Sequence, residues 1–193
     1  MARPRAFDED KVLNRAMHLF WEKGYEATSI QDLEANIGVG RRSLYNTFGS
    51  KHALFLAALG KYTQSSDGPS FEKVCESHSA VDTIRSIFEN LADDSLADQT
   101  RCGCFMVNSA VELAGQDEDV SKFSESAVQA LTNGFYKLVR DGQISKEIPI
   151  EKDPVALAQY LTNTYLGFRV MAKMSPNKDA FSNIVNVTMQ TLR

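Results

Sequence analysis

A chain of 193 residues that is 43% apolar and carries a net charge of −4 is sized for one large domain, or for a small one joined to a medium one. It holds no apolar run near the ~18 residues that a bilayer span needs, and its 3 cysteines, an odd number, do not make a disulfide framework. A membrane-embedded or disulfide-stapled protein is thereby excluded; with no secretory signal read ahead of the first charged helix, a cytoplasmic location is expected.

The charge is unevenly spread. Residues 1–63 hold 9 Lys+Arg against 7 Asp+Glu, whereas residues 64–193 hold 12 against 18. Such a balance disfavours a protein that coats nucleic acid, but suits one that touches DNA through one small end. Arg3, Pro4 and Arg5 form either a solvated terminus or a basic arm that would lie along a groove or backbone. Asp8 is placed to cap a first helix, with Glu9 and Asp10 in the turn where negative charge suits the helix dipole. Phe7 and Val12 flank that cap as a hydrophobic staple. Val12, Leu13, Ala16, Leu19 and Phe20 make its inner face, Lys23-Gly24 ends it, and Trp21 and Tyr25 are assigned to the core.

Thr28 to Phe48, TSIQDLEANIGVGRRSLYNTF, reads as two short helices around a tight turn. Thr28 and Gln31 are spaced as a capping box, and Ile30, Leu33 and Ile37 form one apolar stripe. Gly38 stops the first helix. The second presents Arg41, Arg42, Ser43, Tyr45, Asn46 and Thr47 outward, with Leu44 and Phe48 inward. Two arginines in its first turn oppose the macrodipole, so something outside the helix must compensate, and a phosphate-lined groove would. This is the helix-turn-helix arrangement, whose second helix enters the DNA major groove.

The stretch TSIQDLEANIGVGRRSLYNTFGSKHALF resembles the DNA-binding signature of the tetracycline-repressor (TetR) family of bacterial regulators. The likeness lies in Thr and an apolar residue, an apolar helix ending in Gly-Val, Leu-Tyr-x-x-Phe, then Lys and Leu-Phe. The chain departs at Gly40, where many members have Ser, and at Arg42, where many have a small residue. The resemblance implies an all-α fold. A helix-turn-helix domain over 6–66 would precede an effector-binding and dimerisation domain over 67–193.

Arg41, Arg42, Ser43 and Asn46 are the base-edge candidates, because Arg forks onto guanine and Asn onto adenine. Thr28, Tyr45, Thr47 and Lys51 are phosphate candidates, which orient without reading sequence, and Gly40 lies in the same interface. Lys51 is otherwise a solvated surface lysine. It opens a helix to about Gln64, with Leu54, Phe55, Ala58, Leu59 and Tyr62 inward.

SSDGPS at 65–70 is the expected boundary. A helix over 71–79 is followed by one over 80–98. Residues 102–114, CGCFMVNSAVELA, are expected to be deeply buried. Asp117 opens a long helix to about Arg140, ended by Asp141-Gly142. Asp153-Pro154 starts the next, and Ser175-Pro176-Asn177 separates it from the last, 178–192. Leu157, Leu161, Tyr165, Phe168 and Val170 on one, and Phe181, Ile184, Val185, Val187 and Met189 on the other, exceed what one core face requires and suggest a partner surface. In the resembling family these last two helices pair with their copies. The implied assembly is a homodimer on a palindromic double-stranded DNA operator.

The run RCGCFMVNSAVELA with YLTNTYLGFRVMAKM further resembles a branch with members that respond to electrophiles, oxidants or unsaturated acids. A small-molecule effector is implied, with Cys104, Phe105, Met106, Asn108, Ser109, Phe135, Tyr165 and Arg169 as candidate contacts, most of them equally good core residues. Asn108 is a polar residue in an apolar helix that needs a partner, and an inward Arg169 would select an acidic effector. Cys75, His78, Cys102 and Cys104 are either a zinc set or small apolar residues; no metal or cofactor is expected. Cys104, with Cys102 as resolving partner and Arg169 or Lys173 as the activating cation, is a candidate redox sensor. An enzyme is not indicated, since His18, His52 and His78 are scattered and no phosphate loop is present. A helical ligand-binding protein without DNA binding is the remaining rival; retention on heparin or random DNA would separate the two.

Overall fold

The computed structural model describes residues 8–64, 79–98 and 100–193. Among them all regular structure is helical: α1 Glu9–Lys23, α2 Ile30–Ile37, α3 Arg41–Phe48, α4 Lys51–Gln64, α5 Ala80–Ala97, α6 Phe105–Leu113, α7 Glu118–Ile144, α8 Pro154–Met174 and α9 Lys178–Gln190. The arm with Arg3, Pro4 and Arg5, Phe7 of the staple, the 65–70 break, the body of the helix expected over 71–79, and Cys75 and His78 lie outside the described residues.

The chain divides into two units, Met1–Gly68 with Cys104–Lys122, and Pro69–Gly103 with Phe123–Arg193. In the first, α1 packs on α2 and α4, α3 touches α2 and α4, and α6 lies against α4. Asp8 caps α1 as expected, accepting from the backbone N–H of Asp10 and Lys11. Phe20 meets Phe55 edge-on at 5.2 Å, and Phe55 and Tyr62 each meet Phe105 edge-on. Leu33, Leu54, Ala58 and Leu59 are buried in the same unit. Trp21 and Tyr25, assigned to the core, lie at its edge, only partly buried.

The second unit packs α5 against α8 and α9, and α8 against α9. Phe135 from α7 stacks on Phe88, which tilts onto Phe168, which stacks on Phe181. That row of rings is the unit's core.

Three sequence expectations are corrected. The cap of α2 is Ser29, not Thr28: the Ser29 hydroxyl accepts from Asp32 N–H, and the Asp32 carboxylate accepts from Ser29 N–H at 2.9 Å. Helix α7 runs through Gly142 rather than stopping there. This glycine serves close packing, because a Cβ on it would fall 2.8 Å from Ile148 Cδ1. Helix α6 is amphipathic rather than buried throughout: Phe105, Met106, Ser109 and Leu113 point in, while Val111 is 83% exposed.

Candidate nucleic-acid interface

The first unit builds a small platform from the turn between α2 and α3. Gly38 takes φ 75° and ends α2, its N–H donating to Glu34 O. A β-carbon would be strained in that conformation. Arg15 on α1 donates a guanidinium N–H to Ile37 O at 3.0 Å, tying the end of α2 to the supporting helix. Helix α3 then hangs on Leu44, its buried residue, with Phe48 half-buried beside it.

The candidates on α3 cover the rest of its surface. Arg41, Arg42, Asn46 and Thr47 are exposed, and Ser43 and Tyr45 are half-buried. The Arg41 guanidinium lies 5.3 Å from the Tyr45 ring centre, a cation–π arrangement that holds the charge over the helix face. Gly40 is the N-cap and supplies no side-chain acceptor. The carboxylate of Glu34 on α2 takes that place, accepting from Arg41 N–H at 2.5 Å. The compensation for an arginine-rich first turn thus begins within the protein, which sequence reasoning missed. The legible signal was the glycine: a cap position with no side-chain oxygen requires an acceptor from elsewhere.

Lys51 is half-buried at the start of α4, its ammonium 4.2 Å from the Tyr25 ring centre. Burial pushes it down from its usual value, against the pull of Glu26 and Glu112. Thr28 stands apart from the other candidates. It is 0% exposed, and its hydroxyl donates to Gly24 O at 2.6 Å, so its side chain joins α1 to α2 rather than facing outward.

Two carboxylates hold this platform: Glu112, which the sequence did not single out, and Asp117, read from the sequence only as the start of the long helix. Glu112 on α6 accepts from the backbone N–H of Tyr25 at 3.0 Å and of Glu26 at 2.9 Å, gripping the corner between α1 and α2. Gly24, with φ 85°, sits against it; a Cβ there would come within 2.9 Å of the carboxylate. Asp117 caps α7 through the N–H groups of Asp119 and Val120 and pairs with His52 on α4 at 2.8 Å. The Val120 N–H first, and His52 after it, hold the Asp117 carboxyl below its usual value. Asp119 brings a third oxygen within 4.8 Å of these groups, but capping and ion pairing already account for His52 and Asp117.

The effector candidates divide between the units. In the first, Cys104 is 2% exposed and its sulfur accepts the Tyr62 O–H at 3.3 Å. Phe105 is buried and Asn108 half-buried on the same helix. In the second, Phe135 and Tyr165 meet at 6.3 Å, and Arg169 donates to the Tyr165 hydroxyl at 3.1 Å. Lys173 lies there too, its Cβ 3.0 Å from where a side chain on Gly103 would project.

Residues 12–58 match the family of bacterial regulatory proteins described as the tetR family, and residues 80–187 match the tetracyclin repressor-like C-terminal domain. An uncharacterized HTH-type transcriptional regulator, YezE of Bacillus subtilis (strain 168), is 34% identical, covering 100% of each chain. The HTH-type transcriptional repressor ComR of Escherichia coli (strain K12) is 29% identical over 97% of this chain and 90% of its own. Among solved structures, a cysteine mutant of the TetR family transcriptional regulator CifR, complexed with 26 bp double-strand operator DNA, superposes with a TM-score of 0.87 at 26% identity and covers 100% of each chain.

Proposed function

The chain belongs to the TetR family of bacterial DNA-binding transcriptional regulators, and from that premise we propose that it is a homodimeric repressor released from a palindromic operator by a small molecule. The observation that carries this reading is the α3 surface. Arg41, Arg42, Asn46 and Thr47 are exposed together on a helix held by one buried leucine, which is the form of a reading helix in the major groove. Arg41, Arg42, Ser43 and Asn46 would address base edges. Tyr45, Thr47, Lys51 and the backbone at Gly40 would address phosphates.

Dimerisation is assigned to α8 and α9. Val155, Tyr160, Val170 and Met174 on α8 and Val187 on α9 are 37–75% exposed, an apolar surface of the kind that partner contacts cover. The effector is assigned to the 67–193 region, with Arg169 and Tyr165 as polar contacts and Phe135 as an apolar wall. No described helix is long and apolar enough to cross a membrane, and the working compartment is taken to be the cytoplasm, where DNA is. A bound small molecule is preferred to thiol oxidation as the signal, because Cys104 lies sealed against Tyr62 and oxidation favours exposed thiolates.

A mobility-shift titration tests the reading. Two chains should retard one duplex carrying a palindrome that the protein itself enriches from a randomised pool, and added salt should weaken the complex steeply. Equal, salt-insensitive indifference to every duplex would refute it.

A further inference from the structure

We propose that Glu34 is a specificity-determining residue: its carboxylate guards the start of the reading helix against phosphates that do not come with the correct bases. This inference rests on the reading of α3 as the DNA-contacting helix.

The N-terminus of a helix attracts anions through its free N–H groups and its dipole. At α3 that attraction would be reinforced by Arg41 and Arg42, both exposed. Gly40 contributes no side-chain cap, so the first turn would otherwise be open to any passing phosphate. Glu34 occupies the position instead. It reaches from α2, accepts from Arg41 N–H at 2.5 Å, and brings Oε1 to 3.9 Å from where a Gly40 β-carbon would stand.

One carboxylate does two separable things there. As an acceptor it satisfies the Arg41 N–H and ties the start of α3 to α2. As a charge it repels a phosphate brought to that N–H, and it dilutes the field of the two arginines. Non-specific binding is almost wholly phosphate attraction, so it bears this penalty in full. A matched operator escapes the penalty where base contacts from Arg41, Arg42 and Asn46 fix α3 in a register that brings no phosphate to that N–H, whereas non-specific binding is free to seat one there. The ratio between the two is what Glu34 raises.

Substitution separates the two effects. In Glu34→Gln an amide oxygen remains to accept from Arg41 N–H while the charge is gone. In Glu34→Ala both are lost. The measurement is affinity for a random-sequence duplex and for an equally long duplex carrying the palindrome enriched by the wild-type chain, across a salt series, with thermal melts as a folding control. Glu34→Gln is expected to bind the random duplex about three- to tenfold more tightly at low salt, with a salt slope steeper by about one. The selected-to-random ratio should fall, with a lower melting point in Glu34→Ala than in Glu34→Gln.

The inference is overturned if Glu34→Gln matches wild type on both duplexes, Glu34 then being a cap only, or if it tightens both by the same factor, Glu34 then damping affinity without setting specificity. It is equally overturned if the selected duplex weakens while the random one is unchanged, Glu34 then being a direct base reader. A wild-type chain that retains neither duplex would instead refute the reading of α3 itself.

Discussion

Thr188 puts a hydroxyl into the core of the second unit at 0% exposure, and its Oγ1 has no hydrogen-bond partner among the described residues. A buried hydroxyl left unpaired costs about 1–3 kcal/mol. Thr188→Val keeps the branched shape and removes the polar atom. It should raise the thermal midpoint at fixed chain concentration, with a gain of about 1 kcal/mol; a loss would mean that the hydroxyl is satisfied in the assembly. On the DNA side, Arg41→Ala should cost about 1–3 kcal/mol of discrimination at one base pair. Lys51→Ala should weaken every duplex alike and flatten the salt slope by about one. Binding curves on single-mismatch operators would distinguish them, and equal losses everywhere for both would defeat the assignment of separate roles. Residue-level reading of the sequence was good for type and weaker for orientation. Thr28 and Ser29 are adjacent hydroxyls with the same capping chemistry, and only burial decides that Ser29 takes the cap while Thr28 turns inward. Arg41 and Asn46 were legible as outward residues because Leu44 and Phe48, four apart, mark the inner face of their helix.

At the scale of elements, carboxylates that reach across the sequence do much of the fastening. Glu147 closes the N-terminus of α5: it accepts from the Ser145 and Ser79 hydroxyls and from the N–H groups of Ala80 and Val81. Those donors, Ser145 first and Ser79 next, hold its carboxyl down from 4.5 to about 2. A folded-state value below the unfolded one stabilises above pH 4.5, and that contribution is lost as the pH falls from 4.5 toward about 2. Glu147→Gln should therefore lower stability near neutrality and flatten the acid limb of a melting-temperature profile; an unchanged acid limb would contradict the assignment. Glu112 fastens the α1–α2 corner in the same way. Glu112→Ala should cost about 1 kcal/mol of stability, read by chemical denaturation, and should loosen the platform that carries α3. Periodicity and caps gave α1, α4, α5, α8 and α9 almost to the residue, because Asp8, Asp153 and Asn177 are strong local signals. These cross-chain carboxylate locks were not legible, since local pattern carries no record of a partner 65–87 residues away. Gly142 misled for a related reason: a glycine that ends a helix and one that admits a neighbouring side chain look alike in sequence.

At the scale of the molecule, the sequence suggested a cut near residue 66, and the described structure adds α6 and the start of α7 to the unit that holds α1–α4. Nothing in the α6 sequence announced this, because an apolar helix suits either unit equally well. The consequence is that Cys104, Phe105 and Asn108 belong with α1–α4, whereas Phe135, Tyr165 and Arg169 cluster in the other unit. A ligand that changed how α6 sits would act on the reading platform through Glu112 and through the His52–Asp117 pair. A coupling of only ~1–3 kcal/mol would be enough to alter operator occupancy. The account stands or falls on DNA recognition by α3, and its most direct measurement is a salt-dependent titration of the full chain with its enriched palindromic duplex beside a random duplex of equal length. The expected result is two chains per palindrome, preference for it over the random duplex by about a thousandfold or more, and loss of that preference in Arg41→Ala. A chain that stays monomeric and binds both duplexes equally, or neither, would contradict it.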